Sequence, residues 1–172
     1  MISTSNVSLR FGKKALFEDV NINNDSKSGN YSNLIKNNNG EISNLEFDRV
    51  TINSANMSYT GIVGNTSGYI NNIKMTEVEV TGTNYVGGLL CYSDGSNGIE
   101  NIQADNITIQ ATGTKIGGIV AYNANNLIRN IEINNSNING GNDVGGAIGN
   151  GAGLNDNNAI SNIIARDITV KG

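Results

Sequence analysis

The segments ISNLEFDRVTI (42–52) and INNIKMTEVEV (70–80) share one order of apolar and polar residues, and that order decides the fold. Three further copies follow: IENIQADNITI (99–109), IRNIEINNSNI (128–138) and ISNIIARDITV (160–170). The copies begin 28 to 32 residues apart. Each has apolar residues at its first, fourth, sixth and eleventh positions and Asn at its third. Self-similarity at this period is the signature of a repeat array.

The alternation of apolar and polar residues within each copy is typical of β-strands with one buried face. The alternation reverses in the middle of the copy, which predicts two short strands joined by a corner. A second block precedes each copy, such as TGIVGN (60–65) or GGIVAY (117–122), and predicts a third short strand. No such coil can bury its apolar face alone, so stacking is required. We therefore predict an all-β, parallel, right-handed β-helix of about five coils.

Three sets of equivalent residues are the candidate structural positions of this solenoid. The first residue of each copy is expected to form a core column: Ile42, Ile70, Ile99, Ile128 and Ile160. The second block supplies repeat glycines: Gly61, Gly88, Gly118 and Gly146. The third residue of each copy is expected to form an amide ladder between coils: Asn44, Asn72, Asn101, Asn130 and Asn162. The alternative for these asparagines is a turn position that needs left-handed backbone geometry.

The composition of the 172-residue chain disfavours several classes of function. It contains no His, the commonest general base and metal ligand, and a single Cys, which excludes an internal disulfide. Cys91 is expected to be a small buried residue rather than a nucleophile. The net charge of −4 gives no electrostatic footprint for nucleic acid. We expect no catalytic residue, no cofactor, no metal site, no nucleic-acid partner and no insertion into a membrane.

The carboxylates of the repeats are the reason to consider an enzymatic function. Glu77, Glu79 and Asp105 lie in the repeats, but no three acids share one position of the repeat. A solvated face is therefore the preferred interpretation. A β-solenoid polysaccharide lyase or hydrolase stays open as the alternative, because such enzymes use acids grouped on one face.

Residues 30–172 resemble the GLUG-motif repeat. The resemblance is carried by YVGGL (85–89) and IGGIVAYN (116–123), with partial matches at Gly145-Gly146 and at TGIVGN (60–65). It implies a bacterial surface or secreted protein in which the repeats are a non-catalytic spacer, adhesion or ligand-binding segment. The implied partner is a host protein or a glycan, and the implied location is extracellular or at the cell surface. The N-terminus has no apolar signal core, which leaves a cytoplasmic location open.

Residues 1–29 are expected to form an irregular cap. Their beginning, ISTSNVSLRFGKKALFEDVN (2–21), resembles the first strand of ABC-type ATPases of the translation-associated class, in which an aromatic residue at Phe11 would stack on adenine. The P-loop, signature motif and Walker B acid of that family are missing. A truncated, inactive ABC-type ATPase fragment is therefore a further alternative.

The two ends of the array carry expectations of their own. FEDVNI (17–22) has the pattern of FDRVTI (47–52), which predicts a degenerate coil before the first full one. Val7, Leu9 and Phe11 alternate like a capping strand. The last copy ends without a polar cap, and open strand edges invite pairing. We therefore expect either end-to-end self-association or a longer array.

Overall fold

The computed structural model describes residues 17–24, 30–95, 97–124, 126–151 and 160–172. These residues form an all-β structure in which every strand pairing is parallel. Two sheets are wound together as a β-solenoid of about five turns, and the predicted fold class is confirmed.

Sheet A contains the repeated segments and is the more regular of the two sheets. Its neighbouring strands follow chain order from coil to coil. The strands are β1 (Phe17–Glu18), β2 (Asn21–Asn23), β4 (Glu41–Asn53), β6 (Tyr69–Gly82), β9 (Gly98–Ala111), β12 (Leu127–Asn139) and β15 (Ile160–Lys171).

Sheet B contains the second block of each coil, which includes glycine in every coil except the first. In the first two coils each block is one strand of seven residues, whereas in the last three coils it is split into two short strands around a Gly-containing dipeptide. The strands are β3 (Ser32–Asn38), β5 (Thr60–Thr66), β7 (Val86–Gly87), β8 (Leu90–Ser93), β10 (Thr114–Gly117), β11 (Val120–Asn123), β13 (Asn142–Gly145) and β14 (Ile148–Gly151).

The strands of sheet A differ from the prediction of two short strands per copy. In the five full coils each copy lies within one continuous strand of 12 to 14 residues. The corners are single residues with positive φ, at the third and eighth positions of the copy, as at Asn44 (57°) and Arg49 (51°). A single left-handed residue turns the chain without removing its flanking amides from the inter-coil ladder, so pairing continues through the bend.

Stacking in register places each residue beside its equivalent in the next coil. Ile70 pairs with Ile42 on one side and with Ile99 on the other. The inward side chains therefore form continuous apolar columns, in which Phe47, Val50 and Ile107 are fully buried. Among the described strands of sheet A, Ser136 is the exception, a buried polar residue at an inward position. Its hydroxyl accepts a hydrogen bond from the amide of Ile107 (3.0 Å) and donates one to a backbone carbonyl, which satisfies the group.

Residues 17–23 occupy the place of a coil before the first full one. Phe17 pairs with Phe47, and their rings stack 5.2 Å apart. β2 pairs with β4 in the same register, which brings Ile22 beside Ile52. The capping strand expected from Val7, Leu9 and Phe11 lies outside the described residues.

Candidate functional site

The outer side of sheet B carries a cluster of aromatic side chains, which we call the tyrosine ridge. It contains five of the six tyrosines of the chain and one lysine: Tyr31, Tyr59, Tyr85, Tyr92, Tyr122 and Lys115. These residues come from the first four coils, so the ridge runs along the solenoid axis. Tyr31 is 41% exposed and the others are half-buried.

The first column of the ridge is a stack of three rings. Tyr31 and Tyr59 have centroids 4.9 Å apart, and Tyr59 and Tyr85 have centroids 4.5 Å apart, with interplanar angles of 27° and 10°. The neighbouring residues Ser32, Thr60 and Val86 pair between successive coils, which fixes the rings one above another. Because each ring covers the face of the next, the phenol edges and hydroxyls are what the column presents to a ligand.

Lys115 takes the fourth place of this column, and its ammonium joins the first column to the second. It lies 4.6 Å from the ring centroid of Tyr85 and 4.3 Å from that of Tyr122, and it donates a hydrogen bond to the Tyr85 hydroxyl (2.9 Å). Tyr122 in turn stacks on Tyr92 at 5.1 Å. A cation held by two aromatic faces and a phenol oxygen is fixed in position.

Three residues of the first column lie in the left-handed region of the backbone. The φ angles are 51° at Tyr59, 52° at Tyr85 and 63° at Lys115. Bulky side chains are uncommon in this conformation, and each costs about 1–3 kcal/mol. The stacking and cation–π contacts offset that cost. The corners of sheet A have the same left-handed angles, so this conformation belongs to the corners of the solenoid in general and does not by itself mark a functional site.

Three residues of the ridge have raised pKa values, which keep them protonated at neutral pH. Burial raises the pKa of Tyr59 and Tyr92, with further increases from neighbouring tyrosines. The hydrogen bond with Tyr85 raises the pKa of Lys115. At neutral pH Tyr59 and Tyr92 are therefore neutral phenols, which both donate and accept hydrogen bonds, and Lys115 is an ammonium donor.

The asparagines of the expected ladder lie together at an exposed corner of sheet A. Three amides donate to the asparagine of the preceding coil: Asn72 to Asn44 (2.7 Å), Asn130 to Asn101 (2.9 Å) and Asn162 to Asn130 (2.8 Å). Asn101 instead donates to Asn71, the neighbour of Asn72. All five have φ between 52° and 57°, so the ladder and the left-handed turn occur together.

The expected core column is buried except at its last member. Ile42, Ile70, Ile99 and Ile128 are buried, whereas Ile160 is 38% exposed because it lies on the strand that pairs only with β12 among the described residues. The repeat glycines differ in the space available for a Cβ atom. A Cβ at Gly61, Gly88 or Gly118 would collide with a carbonyl oxygen of the next coil, while one at Gly146 would be in ordinary contact, 3.6 Å from Ile168.

Cys91 has the surroundings of a structural residue. It is fully buried, and burial raises the pKa of its thiol far above the ordinary value. Asn33 lies 3.5 Å from the sulfur and also donates to the carbonyls of Tyr59 and Gly61. A thiol in these surroundings is neutral, and the neutral thiol is a poor nucleophile.

The acids brought together by the solenoid are paired with one arginine. Arg49 bonds to Glu18 and Asp19, each at 2.6 Å, and to Asp48. The hydrogen bond from Arg49 lowers the pKa of Asp19, so this carboxylate stays ionised and cannot serve as a general acid at neutral pH. Within the described ranges, no three Cys, Asp or Glu side chains form a group that could hold a metal ion.

Two shallow depressions lie on the outer side of sheet A, each of about 250 Å³ or slightly less. One contains Glu77 and Glu79 beside Arg49, and the other contains Asp105 beside Lys74. Both are smaller than the sites of ~300–1,000 Å³ that hold small-molecule ligands. They bring the acids noted in the sequence to the surface without a cleft around them.

Sequence reasoning missed the tyrosine ridge. Tyr31, Tyr59 and Tyr85 each stand directly before the sheet B block of their coil, about one repeat apart. Aligning these blocks rather than the Ile-x-Asn copies would have found this column. Tyr92 and Tyr122, which form the second column, are the last residues of the blocks GGLLCY (87–92) and GGIVAY (117–122). What the sequence does not give is the distance between the columns, which depends on how each sheet B block bends between its two ends.

Comparisons with known proteins leave the ridge as the main evidence about function. In the part of the chain that the structure covers, no helix is both long and apolar enough to cross a bilayer. No protein-family model, no curated protein and no solved structure matches this chain.

Proposed function

We propose that this chain is a non-catalytic binding segment that contacts a macromolecule through the tyrosine ridge. The observation that carries the proposal is the gathering of five of six tyrosines on one outer surface, from four successive coils. Tyrosine offers a large apolar area and a polar hydroxyl at a low cost in side-chain entropy. Side chains already fixed by stacking lose still less freedom when a ligand binds.

The setting we propose is a bacterial surface or secreted protein, where the solenoid serves as a spacer or adhesion module for a host protein or a glycan. The support for this setting is the resemblance of residues 30–172 to GLUG-motif repeats. A rigid rod with its recognition surface along its length suits a module that must hold a ligand away from other domains. A lyase or hydrolase has less support, because the acids around Arg49 are ion-paired and the depressions that contain Glu77, Glu79 and Asp105 are shallow.

The test is an array of purified glycans and extracellular-matrix proteins probed with three proteins. These are the unaltered chain, a variant with Tyr31, Tyr92 and Tyr122 changed to Ser, and Tyr69→Ser as the matched control. Tyr69 is the one tyrosine outside the ridge and belongs to sheet A. We expect at least one target to retain the unaltered chain and the control but not the triple variant. Equal retention of all three folded proteins, or retention of none, would contradict the proposal.

A further inference from the structure

The tyrosine ridge has a repeat distance that selects among ligands. Its first column advances by one side chain per coil, with ring centroids 4.9 Å and 4.5 Å apart. An extended peptide presents same-side residues about 6.6 Å apart, so it would fall out of phase with the rings after one coil. Side chains one turn apart on a helix are ~5–6 Å apart, so they fall out of phase with the rings more slowly than those of an extended peptide. A helix, however, contacts such a column with only one stripe of its surface. In a linear chain of equatorially linked pyranoses, the rise from one sugar to the next is close to the coil spacing.

The backbone under the ridge gives a ligand nothing to pair with. Amides of sheet B bond to carbonyls of the next coil, as Val63 does to Leu89 (2.7 Å), Leu89 to Ile119 (3.1 Å) and Ile119 to Ala147 (2.9 Å). Recognition by addition of a peptide strand requires a free sheet edge. Contacts on this surface are therefore made by side chains, which favours a ligand that is recognised through its hydroxyl groups.

The charged groups on and beside the ridge balance one another, and the two lysines already contact tyrosine rings. Lys115 contacts two rings and one phenol, and Asp143 follows it in the column of the next coil. Lys36 lies 5.0 Å from the Tyr31 centroid, and Asp94 follows Tyr92 by two residues. Two cations are thus matched by two carboxylates, on a chain whose net charge is −4. This balance favours a neutral ligand over a polyuronate or a sulfated polymer.

We propose, resting on the function proposed above, that the tyrosine ridge binds a neutral, linear, β-linked polysaccharide lengthwise, with one sugar residue per coil. The four places from Tyr31 through Tyr59 and Tyr85 to Lys115 set the length of the site. Hydroxyls and ring edges of the tyrosines contact the sugar hydroxyls and the C–H groups beside them. The ammonium of Lys115 donates to the fourth sugar.

Tyrosine emission gives a direct readout, because the chain has no Trp and a Tyr69→Phe background leaves tyrosine fluorescence to the ridge alone. In that background, cello-, manno- and chito-oligosaccharides of two to six units are titrated. We expect the affinity for one series to rise up to four units and then to stay level. Tyr59→Phe and Tyr85→Phe keep the rings and remove one hydroxyl each, and each should weaken binding about fivefold, the equivalent of one hydrogen bond.

The controls separate this inference from the proposed function. Circular dichroism must show that each Phe variant is folded. Tighter binding of polygalacturonate than of the neutral series, an affinity independent of length, or unchanged affinity in both Phe variants would overturn the inference. Ridge-dependent binding to a protein on the array, with no saccharide bound, would overturn the glycan while leaving the proposed function in place. Binding of neither class would remove both.

Discussion

The outer side of sheet A and the tyrosine ridge are built by the same stacking of coils, yet they present opposite chemistry. On sheet A, residues of opposite charge follow one another: Lys74 pairs with Glu46 at 2.7 Å and Arg129 with Glu100 at 2.6 Å. On the ridge, one residue type is repeated and its rings stack. Alternating charges neutralise each other locally, whereas repeated tyrosines add up to one continuous surface. The succession of residues along a column therefore decides whether a surface of the solenoid is inert or available for recognition.

The largest expected effect comes from the close approach of coils in sheet B. A Cβ at Gly118 would meet the carbonyl oxygen of Gly146, whereas a Cβ at Gly146 has ordinary contacts. We expect Gly118→Ala to lower the free energy of unfolding by about 2–3 kcal/mol through overpacking. Gly146→Ala is the matched control and should cost much less. Urea unfolding of both variants checks this, and equal losses would show that the coils do not approach as described.

Removal of the central ring should be the next largest effect. Tyr85 contacts Tyr59, Tyr92, Tyr122 and Lys115. Because aromatic pairs add about 0.5–1.5 kcal/mol beyond area burial, we expect Tyr85→Ala to cost about 2 kcal/mol. Tyr85→Phe should stay within about 0.5 kcal/mol of the unaltered chain, since the ring remains. Thermal melts followed by circular dichroism are the measurement, and a Phe variant as unstable as the Ala variant would locate the stability in the hydroxyl.

A smaller effect is expected at the asparagine corner of sheet A. Asn101 combines a φ of 56° with two amide contacts, to Asn71 and from Asn130. Asn101→Ala should lower the free energy of unfolding by about 1–2 kcal/mol, because Ala is disfavoured in the left-handed region. Asn101→Gly removes the same side chain but tolerates the angle, so it should cost less. If both variants lose equally in urea, the amide bonds and not the backbone angle carry the effect.

The phenols of the ridge predict a pH dependence of stability. The pKa values of Tyr59 and Tyr92 are raised in the folded chain above the ordinary 10.0, so folding favours the neutral phenols. Their contribution is complete below pH 10 and is lost as the pH rises through the folded pKa values. Urea midpoints measured from neutral to alkaline pH should fall less steeply in a variant with both residues changed to Phe than in the unaltered chain.

The smallest effect is expected from the charge pairs of sheet A. Arg129 is 45% exposed in its side chain where it bonds to Glu100. Exposed pairs of this kind contribute about 0.2–1 kcal/mol and are screened by salt. Arg129→Gln should therefore lower the free energy of unfolding by less than Tyr85→Ala does. The loss caused by Arg129→Gln should become smaller at high salt. If Arg129→Gln lowered the free energy of unfolding as much as Tyr85→Ala does, the two surfaces would not differ in their contribution to stability.

The in-phase repeat was sufficient to predict the fold, because period and alternation are properties of the sequence alone. Inward positions such as Ile70 and Ile99 recur at one place in the copy, so their columns follow from stacking. The continuous bent strand was not predicted, since the reversal at Arg49 looks the same for a corner between strands and for one left-handed residue within a strand. The ridge was not predicted because it joins residues from both ends of the sheet B blocks.

Register-preserving stacking also makes the solenoid modular in length. The stability of such an array is a sum of terms for single coils and for their interfaces, so an added coil leaves its distant neighbours unchanged. A further coil inserted beside β5 (Thr60–Thr66), with Tyr before its glycine block, would lengthen the rod by about 4.8 Å. It would also extend the tyrosine column by one ring. Duplication or deletion of one coil thus changes valency and reach in fixed increments, and affinity for a polymer changes without any new type of contact.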